Sequence, residues 1–181
     1  MTRERMTAPL ETERLILRRW RQSDREPFAA INADPRVMEH FPACLTRAES
    51  DALIDRIEQH FETDGFGLFA ADLRGTGELI GYIGLAIPQF EADFTPCVEI
   101  GWRLSAAHWN QGLATEGARA VLRYAFETLG LEEVVSFTVP ANRPSRRVME
   151  KLGMTYERDF NHPKLPEGHP LRRHVLYRCR I

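Results

Sequence analysis

Hydrophobic residues recur at two different spacings along this chain, and the spacing separates helices from strands. Apolar residues three or four positions apart follow a capping box formed by Thr46 and Glu49, which is typical of an amphipathic helix. Gly65 stands at the C-terminal cap position. The pattern therefore predicts a helix over residues 47–63.

Three other stretches have helical character. A capping box that begins at Ser23 predicts a short helix through Asn32. Apolar residues at helical spacing run over residues 114–129, and Gly130 follows at a cap position. A shorter helix is predicted over residues 144–152.

Short apolar runs between polar turns predict the strands. They cover residues 14–18, 67–72, 78–87, 96–104, 134–139, 155–160 and 173–180. Residues 161–172 are polar and contain three prolines, which indicates a long loop. The order of elements predicts an α/β fold: a mixed, mostly antiparallel sheet of about seven strands, including an antiparallel meander, with helices on both faces. We predict a single domain over residues 10–181 after a flexible N-terminus at 1–9.

Composition and charge exclude several classes of protein. The 181 residues are 43% hydrophobic and 28% charged, as in ordinary globular proteins. The net charge is −2 with Lys and Arg spread along the chain, so we expect no nucleic-acid partner. The longest apolar run, residues 79–87, is far shorter than the ~20 residues of a membrane span. Residues 1–14 do not resemble a signal peptide, and we expect a cytoplasmic protein with no membrane association.

Cysteine and histidine positions give no sign of a metal. The three cysteines contain no Cys-x-x-Cys pair, and we expect them to be small buried residues in a reducing compartment. No two of the six histidines have the spacing of metal ligands. We therefore expect no metal cofactor.

The candidate chemistry lies where a strand runs into the long helix, at residues 97–117. A glycine at such a junction lets backbone N–H groups converge at the positive end of the helix dipole, which attracts phosphate. Simple turn chemistry explains the same pattern. Asn142 and Pro144 open the next helix as N-cap and first-turn residues, and capping alone also explains them.

In combination, these segments resemble the two coenzyme A motifs of the GNAT superfamily. The first is Trp-Asn-Gln-Gly-Leu-Ala at residues 109–114, and the second is Asn142-x-x-Ser145 before Lys-Leu-Gly-Met at 151–154. The resemblance implies an acetyl-CoA-dependent N-acetyltransferase with the GNAT acyl-CoA N-acyltransferase fold.

The two ends of the chain narrow the resemblance to one branch. Thr-Glu-Arg-Leu-Ile-Leu-Arg at residues 12–18 and His-Val-Leu-Tyr at 174–177 resemble the RimJ/RimL-like branch, which acetylates protein N-termini and assorted small amines. The superfamily splays its fourth and fifth strands to admit the cofactor. Here those strands correspond to residues 97–104 and 134–139.

The resemblance also implies which residues hold acetyl-CoA. Backbone amides at the helix start would bind the diphosphate, and the end of the central strand would pair with the pantetheine arm. The diphosphate set is Gln111, Gly112, Leu113, Ala114 and Thr115; the pantetheine set is Trp102, Arg103 and Leu104, with Asn142 and Ser145 from the neighbouring strand end. This chain has Trp109 where the superfamily usually has Gln or Arg, so only the backbone part of phosphate binding is implied.

Direct acetyl transfer needs a neutral amine, a donor to the oxyanion and a proton for the departing thiolate. The candidate donor to the oxyanion is the backbone N–H of Leu104. The candidate base is the carboxyl of Glu99, and the candidate acid is the hydroxyl of Ser145. Met149 occupies the position where many members carry a tyrosine acid. A capping role for Ser145 and a surface position for Glu99 are the alternatives, and Glu157 is the reserve base.

The acceptor stays open between a protein N-terminal amine and a small-molecule amine. An α-amine is ~10–20% neutral at pH 7 and a lysine only about 0.04%, so an α-amine asks less of the base. We expect specificity to lie in residues 33–66 and 161–172, with His162, His169 and His174 as a candidate set.

Two other functions compete with acetyl transfer. The first is a coenzyme A-binding or sensing module of the same fold with little turnover. The second is a phosphate-binding α/β protein of another class, which would bind nucleotides without coenzyme A. The sequence leaves the oligomeric state open, a homodimer included.

Overall fold

The computed structural model describes residues 8–181, so most of the N-terminus predicted to be flexible lies outside the described residues. The helices are α1 (Arg25–Asn32), α2 (Arg47–Asp64), α3 (Leu113–Arg123) and α4 (Arg143–Lys151). The strands are β1 (Leu10–Glu11), β2 (Leu15–Arg18), β3 (Leu68–Leu73), β4 (Leu79–Ala86), β5 (Glu99–Leu104), β6 (Glu133–Thr138), β7 (Thr155–Asn161) and β8 (Arg173–Arg180).

The strands form one sheet in the order β1-β2-β3-β4-β5-β6-β8-β7. All neighbours are antiparallel except β5 and β6, and the predicted meander of three β-rich runs is confirmed as β3-β4-β5. The eight described strands exceed the predicted count of about seven because Leu10–Glu11 adds a two-residue strand beside β2. Two residues are too few for an alternating pattern to reveal.

The parallel strands β5 and β6 are in contact only near one end. Glu99 lies opposite Val135, and this is their single register pair in the described chain. Val135 N donates to the carbonyl of Val98 at 2.9 Å, and Ser136 Oγ donates to that of Ile100 at 2.9 Å. Beyond these bonds the strands separate, which confirms the predicted splay.

Helices cover both faces of the sheet. Phe28 of α1 meets the ring of Tyr82 with centroids 6.1 Å apart, and α2 packs against α1. Gly117 of α3 lies on the other face, where an added Cβ would come within 2.4 Å of Ile83 Cδ1. Since neighbouring residues of β4 point to opposite faces, Tyr82 and Ile83 mark the two sides of the sheet.

The ends of α2 form as predicted. Thr46 N donates to Glu49 Oε2 at 2.7 Å, and Thr46 Oγ1 accepts from Glu49 N at 3.2 Å. Gly65 ends the helix with a φ of +80°, which glycine adopts without steric cost. The predicted helix over residues 114–129 forms as α3 followed by a π-helical turn at Tyr124–Thr128.

The capping box predicted at Ser23 is wrong. A 3₁₀ turn precedes α1, and the carboxylate of Asp24 accepts from Arg21 N at 2.6 Å. Asp24 is also buried beside Arg18, which bonds both Asp24 and Asp72. This ion cluster joins residues far apart in sequence, so a local cap pattern does not reveal it.

Candidate functional site

A cavity of about 1080 Å³ occupies the opening between β5 and β6. The starts of α3 and α4, the open edge of β5, and the loops at 33–46 and 161–172 surround it. It is large enough for a cofactor and an acceptor together. Its walls contain Glu99 and every residue predicted to contact the cofactor except Gln111.

The start of α3 presents free backbone donors to this cavity. Gly112 is the N-cap residue with a φ of +77°, and no side chain in the described part of the chain caps the helix. The N–H groups of Leu113, Ala114 and Thr115 have no partner inside the helix, because the first turn of an α-helix never does. Together with the positive end of the helix dipole they suit an anion such as a diphosphate.

The side chains of Trp109 and Arg14 hold the loop before α3 in place. Trp109 bonds the loop to β5, and Arg14 bonds both the loop and α3. Trp109 Nε1 donates to the carbonyl of Leu104 at 2.9 Å, so this unusual residue ties the loop to the end of β5. Arg14 Nη1 donates to the carbonyl of Gln111 at 2.8 Å, and its Nε donates to Glu116 Oε2 at 2.7 Å. Sequence reasoning missed Arg14, since only the resemblance at residues 12–18 marked that segment.

The direction of the backbone N–H and C=O groups shows which of the residues predicted to pair with pantetheine face the opening. The carbonyls of Val98 and Ile100 point toward β6. Because peptide groups alternate along a strand, those of Trp102 and Leu104 point the same way, into the opening. The peptide group of Arg103 points toward β4, with which it pairs. The structure thus brings Trp102 and Leu104, but not the backbone of Arg103, to the open edge.

Ser145 lies across the opening from Trp102. Asn142 Oδ1 accepts from Ser145 N at 3.3 Å, so the capping side chain is that of Asn142. The hydroxyl of Ser145 accepts from Trp102 Nε1 at 3.3 Å and keeps its own proton available to a ligand. Met149, only 1% exposed, is part of the hydrophobic core.

Glu99 lines the cavity where β5 meets β6. Its carboxyl has no hydrogen-bond or ion-pair partner among residues 8–181, and burial raises its pKa to about 8. The reserve candidate, Glu157, lies outside this cavity and pairs with Arg178, which lowers the pKa of Glu157. Of the two carboxyls, Glu99 is the one placed to accept a proton from a bound molecule.

His162 and His174, from the loop after β7 and from β8, line the cavity together. The rings of His162 and His174 lie 5.0 Å apart, beside Phe137. Burial, with a contribution from His174, lowers the pKa of His162 to about 4, so this ring is neutral at pH 7. His169 is not among the cavity residues, and its Nδ1 accepts from Leu171 N at 3.1 Å.

The structure also bears on the cysteines, on possible metal-binding clusters and on membrane-spanning helices. Cys44 is exposed, so the expectation of buried cysteines is wrong for it, while Cys97 and Cys179 are partly buried. Residues 8–181 contain no cluster of three or more His, Cys, Asp or Glu side chains that could hold a metal ion. None of the described helices is both long and apolar enough to cross a membrane.

Solved structures share this architecture. An acetyltransferase from Agrobacterium tumefaciens superposes with a TM-score of 0.77 at 31% identity, over 96% of this chain and 94% of that one. RimJ from Mycobacterium smegmatis, solved with a CoA disulfide, superposes with a TM-score of 0.73 at 18% identity, over 96% and 90%. At that identity the likeness to RimJ shows the fold alone.

Sequence comparison gives the family. A model described as acetyltransferase (GNAT) domain matches residues 14–155. YnaD of Bacillus subtilis, named an uncharacterized N-acetyltransferase, is 30% identical over 160 residues, which are 88% of this chain and 89% of that protein. The FsC-acetyl coenzyme A-N(2)-transacetylase of Aspergillus fumigatus is 35% identical over 162 residues, 83% of this chain and 66% of that protein. With its fold, these matches confirm that the chain belongs to the GNAT acetyltransferase family and is an acyltransferase.

Proposed function

We propose that the protein transfers the acetyl group of acetyl-CoA to a primary amine, on a protein N-terminus or a small molecule, as in the RimJ/RimL-like branch. One observation carries the proposal: a single cavity joins the free N–H groups at the start of α3 to the unpartnered carboxyl of Glu99. The N–H groups suit the diphosphate of acetyl-CoA, and the carboxyl suits the proton that the amine loses. The open edge of β5 lies between these two groups.

The cofactor would lie along this edge. Backbone amides from Gln111 to Thr115 hold the diphosphate at the helix start. The N–H and C=O of Trp102 pair with the amides of pantetheine as an added strand would. Next to it, the carbonyl of Leu104 accepts from Trp109 Nε1, and the N–H of Leu104 is left for the oxyanion. Asn142 and Ser145 approach the pantetheine arm from the opposite wall of the cavity. The backbone of Arg103 pairs with β4 and so holds β5 in position.

The reaction is a direct attack of the amine nitrogen on the thioester carbonyl carbon. Glu99, in its ionised form, takes the proton that the amine loses, directly or through water. The N–H of Leu104 donates to the oxyanion while the new C–N bond forms. The C–S bond then breaks, Ser145 Oγ–H gives its proton to the thiolate sulfur, and solvent returns a proton to the serine.

The pKa of the base matches an α-amine better than a lysine. Burial raises the pKa of Glu99 to about 8, close to the value of about 7.7 to 8.0 for a free α-amine. Proton transfer between groups of similar pKa has little energetic cost, whereas a lysine near 10.4 keeps its proton. We therefore assign α-amines and weakly basic amines as the acceptor class.

Thiol release from acetyl-CoA in the presence of an amine panel tests the proposal. We expect release with α-amines, and a rate lowered roughly 100-fold in Ser145→Ala, because the thiolate loses its proton donor. Ser23→Ala, at an exposed helix start outside the cavity, is the matched control and keeps the wild-type rate.

Two results would contradict the proposal. Coenzyme A binding without thiol release for any amine would favour the sensing module, a function that the buried Met149 in place of a tyrosine acid also suits. Stabilisation by nucleotides in a thermal melt without stabilisation by coenzyme A would favour a phosphate-binding protein of another class.

A further inference from the structure

The wall of the cavity contains a buried cation with no anion beside it. Arg103 is 8% exposed, and its guanidinium lies 4.2 Å from the ring centroid of Phe41 and 5.3 Å from that of Tyr82. Its Nη1 donates to Asn32 Oδ1 at 2.7 Å, which is a neutral amide oxygen. Its Nε is buried without a partner, and no carboxylate within residues 8–181 forms a salt bridge with Arg103.

The same protein shows how a buried arginine is ordinarily satisfied. Arg18 is also 8% exposed, and two carboxylates hold it: Asp24 at 2.7 Å and Asp72 at 2.6 Å. A buried charge without an opposite charge is strongly unfavourable, so buried arginines are paired. Arg103 departs from this rule at a point where its side chain lines a ligand cavity.

The missing anion is not a phosphate of the cofactor. Arg103 pairs with Tyr82 across the sheet, and its side chain lies on the α1 face with Asn32. Helix α3, at whose start the diphosphate would bind, packs on the opposite face, where its Gly117 meets Ile83. The two anion sites therefore lie on different sides of the sheet.

Nearby carboxyl groups do not supply the anion either. Glu99 projects from the same face of β5 as Arg103, but it makes no ion pair, and burial raises its pKa to about 8, so it is largely protonated at pH 7. In the loop above the cavity, Asp34 is already paired with Arg36 at 2.7 Å. Glu39 of the same loop lines the cavity, but its side chain is exposed and its ion pair is with His40. Arg103 thus lacks a charged partner among residues 8–181.

We propose that Arg103 binds a carboxylate of the acceptor, so that the substrates are amines that also carry a carboxylate. This inference rests on the proposed acetyl transfer and names its substrate class. The planar guanidinium fork matches a carboxylate with two parallel hydrogen bonds, which a lysine could not reproduce. The Cα atoms of Arg103 and Glu99 are four residues apart on one strand face, about 13 Å by strand geometry. This span accommodates a short peptide with a free C-terminus or the N-terminus of an acidic peptide.

Matched acceptor pairs test the proposal in the wild-type protein. The dipeptide Gly-Gly is compared with Gly-Gly-amide, and the C-terminally amidated dipeptide Ser-Glu with amidated Ser-Gln, each with acetyl-CoA, because all four carry an α-amine of similar pKa. We expect kcat/KM to favour the carboxylate member by roughly 10- to 150-fold, the range for a hydrogen bond to a charged group. Which pair shows the larger ratio tells whether the carboxylate is the C-terminus of a short peptide or an acidic side chain. Equal values within both pairs would overturn the proposal.

Variants assign the preference to Arg103. Arg103→Met should lower kcat/KM more for the carboxylate member than for its neutral partner and bring each ratio close to one, whereas Arg103→Lys should keep part of the preference. Arg56→Met, an exposed arginine of α2 outside the cavity, should leave the ratio unchanged. A preference that survives in Arg103→Met would overturn the proposal.

A binding measurement separates this inference from the proposed function. With coenzyme A present, Gly-Gly should raise the melting temperature of the wild-type protein but not that of Arg103→Met, and Gly-Gly-amide should raise neither. This shift would stand even if no amine were acetylated, a result that would refute only the proposed transfer. Acetylation of neutral amines with no carboxylate-dependent shift would refute only the role of Arg103.

Discussion

Replacing Glu99 with glutamine should make the protein less active and, at high pH, more stable. Burial raises the pKa of this carboxyl from 4.5 to about 8, a rise of about 3.5. Each pKa unit corresponds to 1.36 kcal/mol, so ionised Glu99 lowers the free energy of unfolding by up to about 5 kcal/mol.

The sign follows from proton counting. Between about pH 4.5 and pH 8 the folded protein holds a proton at Glu99 that the unfolded chain has lost. Stability from this group therefore falls as the pH rises through that window. Glutamine cannot ionise, so Glu99→Gln should match the wild type in stability near pH 4.5, exceed it increasingly up to about pH 8, and keep a constant advantage above that pH.

Urea unfolding at pH 5, 7 and 9 measures this difference. Initial rates over the same pH range, with an acceptor amine of pKa below 6, report the enzyme's own ionisation. The wild-type kcat/KM should rise with pH to a plateau above about pH 8, because the base must be ionised, and Glu99→Gln should lose this limb.

Glu157→Gln is the matched control. Arg178 lowers the pKa of Glu157, so this substitution should not stabilise the protein at high pH, and the pH dependence of the rate should be unchanged. Two results would refute the reasoning. One is a stability difference between Glu99→Gln and the wild type that does not vary with pH, and the other is a kcat/KM that still rises with pH in Glu99→Gln.

Three further substitutions test the framework around the site. Gly81→Ala should lower the free energy of unfolding by about 3 kcal/mol. The φ of Gly81 is +139°, and an added Cβ would lie 1.9 Å from the carbonyl oxygen of Arg103 in β5. Gly101→Ala, whose added Cβ would have nothing within 4 Å, is the control in urea unfolding. Equal stability of these two glycine variants would contradict the close approach of β4 and β5. Asp72→Asn should also cost about 3 kcal/mol, measured the same way, because it leaves the buried Arg18 with one carboxylate, and an unchanged unfolding curve would contradict that pairing. Arg14→Met should raise the KM for acetyl-CoA roughly 10-fold with kcat unchanged, since the phosphate loop loses its bond to the carbonyl of residue 111, and steady-state kinetics with an unaltered KM would contradict this role.

The sequence predicted elements that depend on local patterns. The helix over residues 47–63 was recognisable because Thr46, Glu49 and Gly65 mark its ends and its apolar residues follow one period. The cap at Ser23 failed because Asp24 bonds both the backbone of Arg21 and a buried arginine, a choice made by tertiary contacts. Local patterns thus predict elements whose ends are satisfied locally.

The site was predictable as far as motifs and backbone go. The junction before α3 and the asparagine before α4 were found from the resemblance, and both line the cavity. The unpaired charge of Arg103 could not be found this way, since its partner Asn32 lies 71 residues earlier. Nor does the sequence tell that Glu99 is partly buried with no partner among residues 8–181, because its burial depends on the loops that close the cavity.

Calorimetric titration of the protein with coenzyme A and with pantetheine tests the central claim most directly. If the free N–H groups at the start of α3 bind the diphosphate, coenzyme A should bind with a stoichiometry of one, and pantetheine, which lacks the diphosphate, should bind at least roughly 100-fold more weakly. Equal affinities for both compounds, or no heat with coenzyme A, would contradict the account.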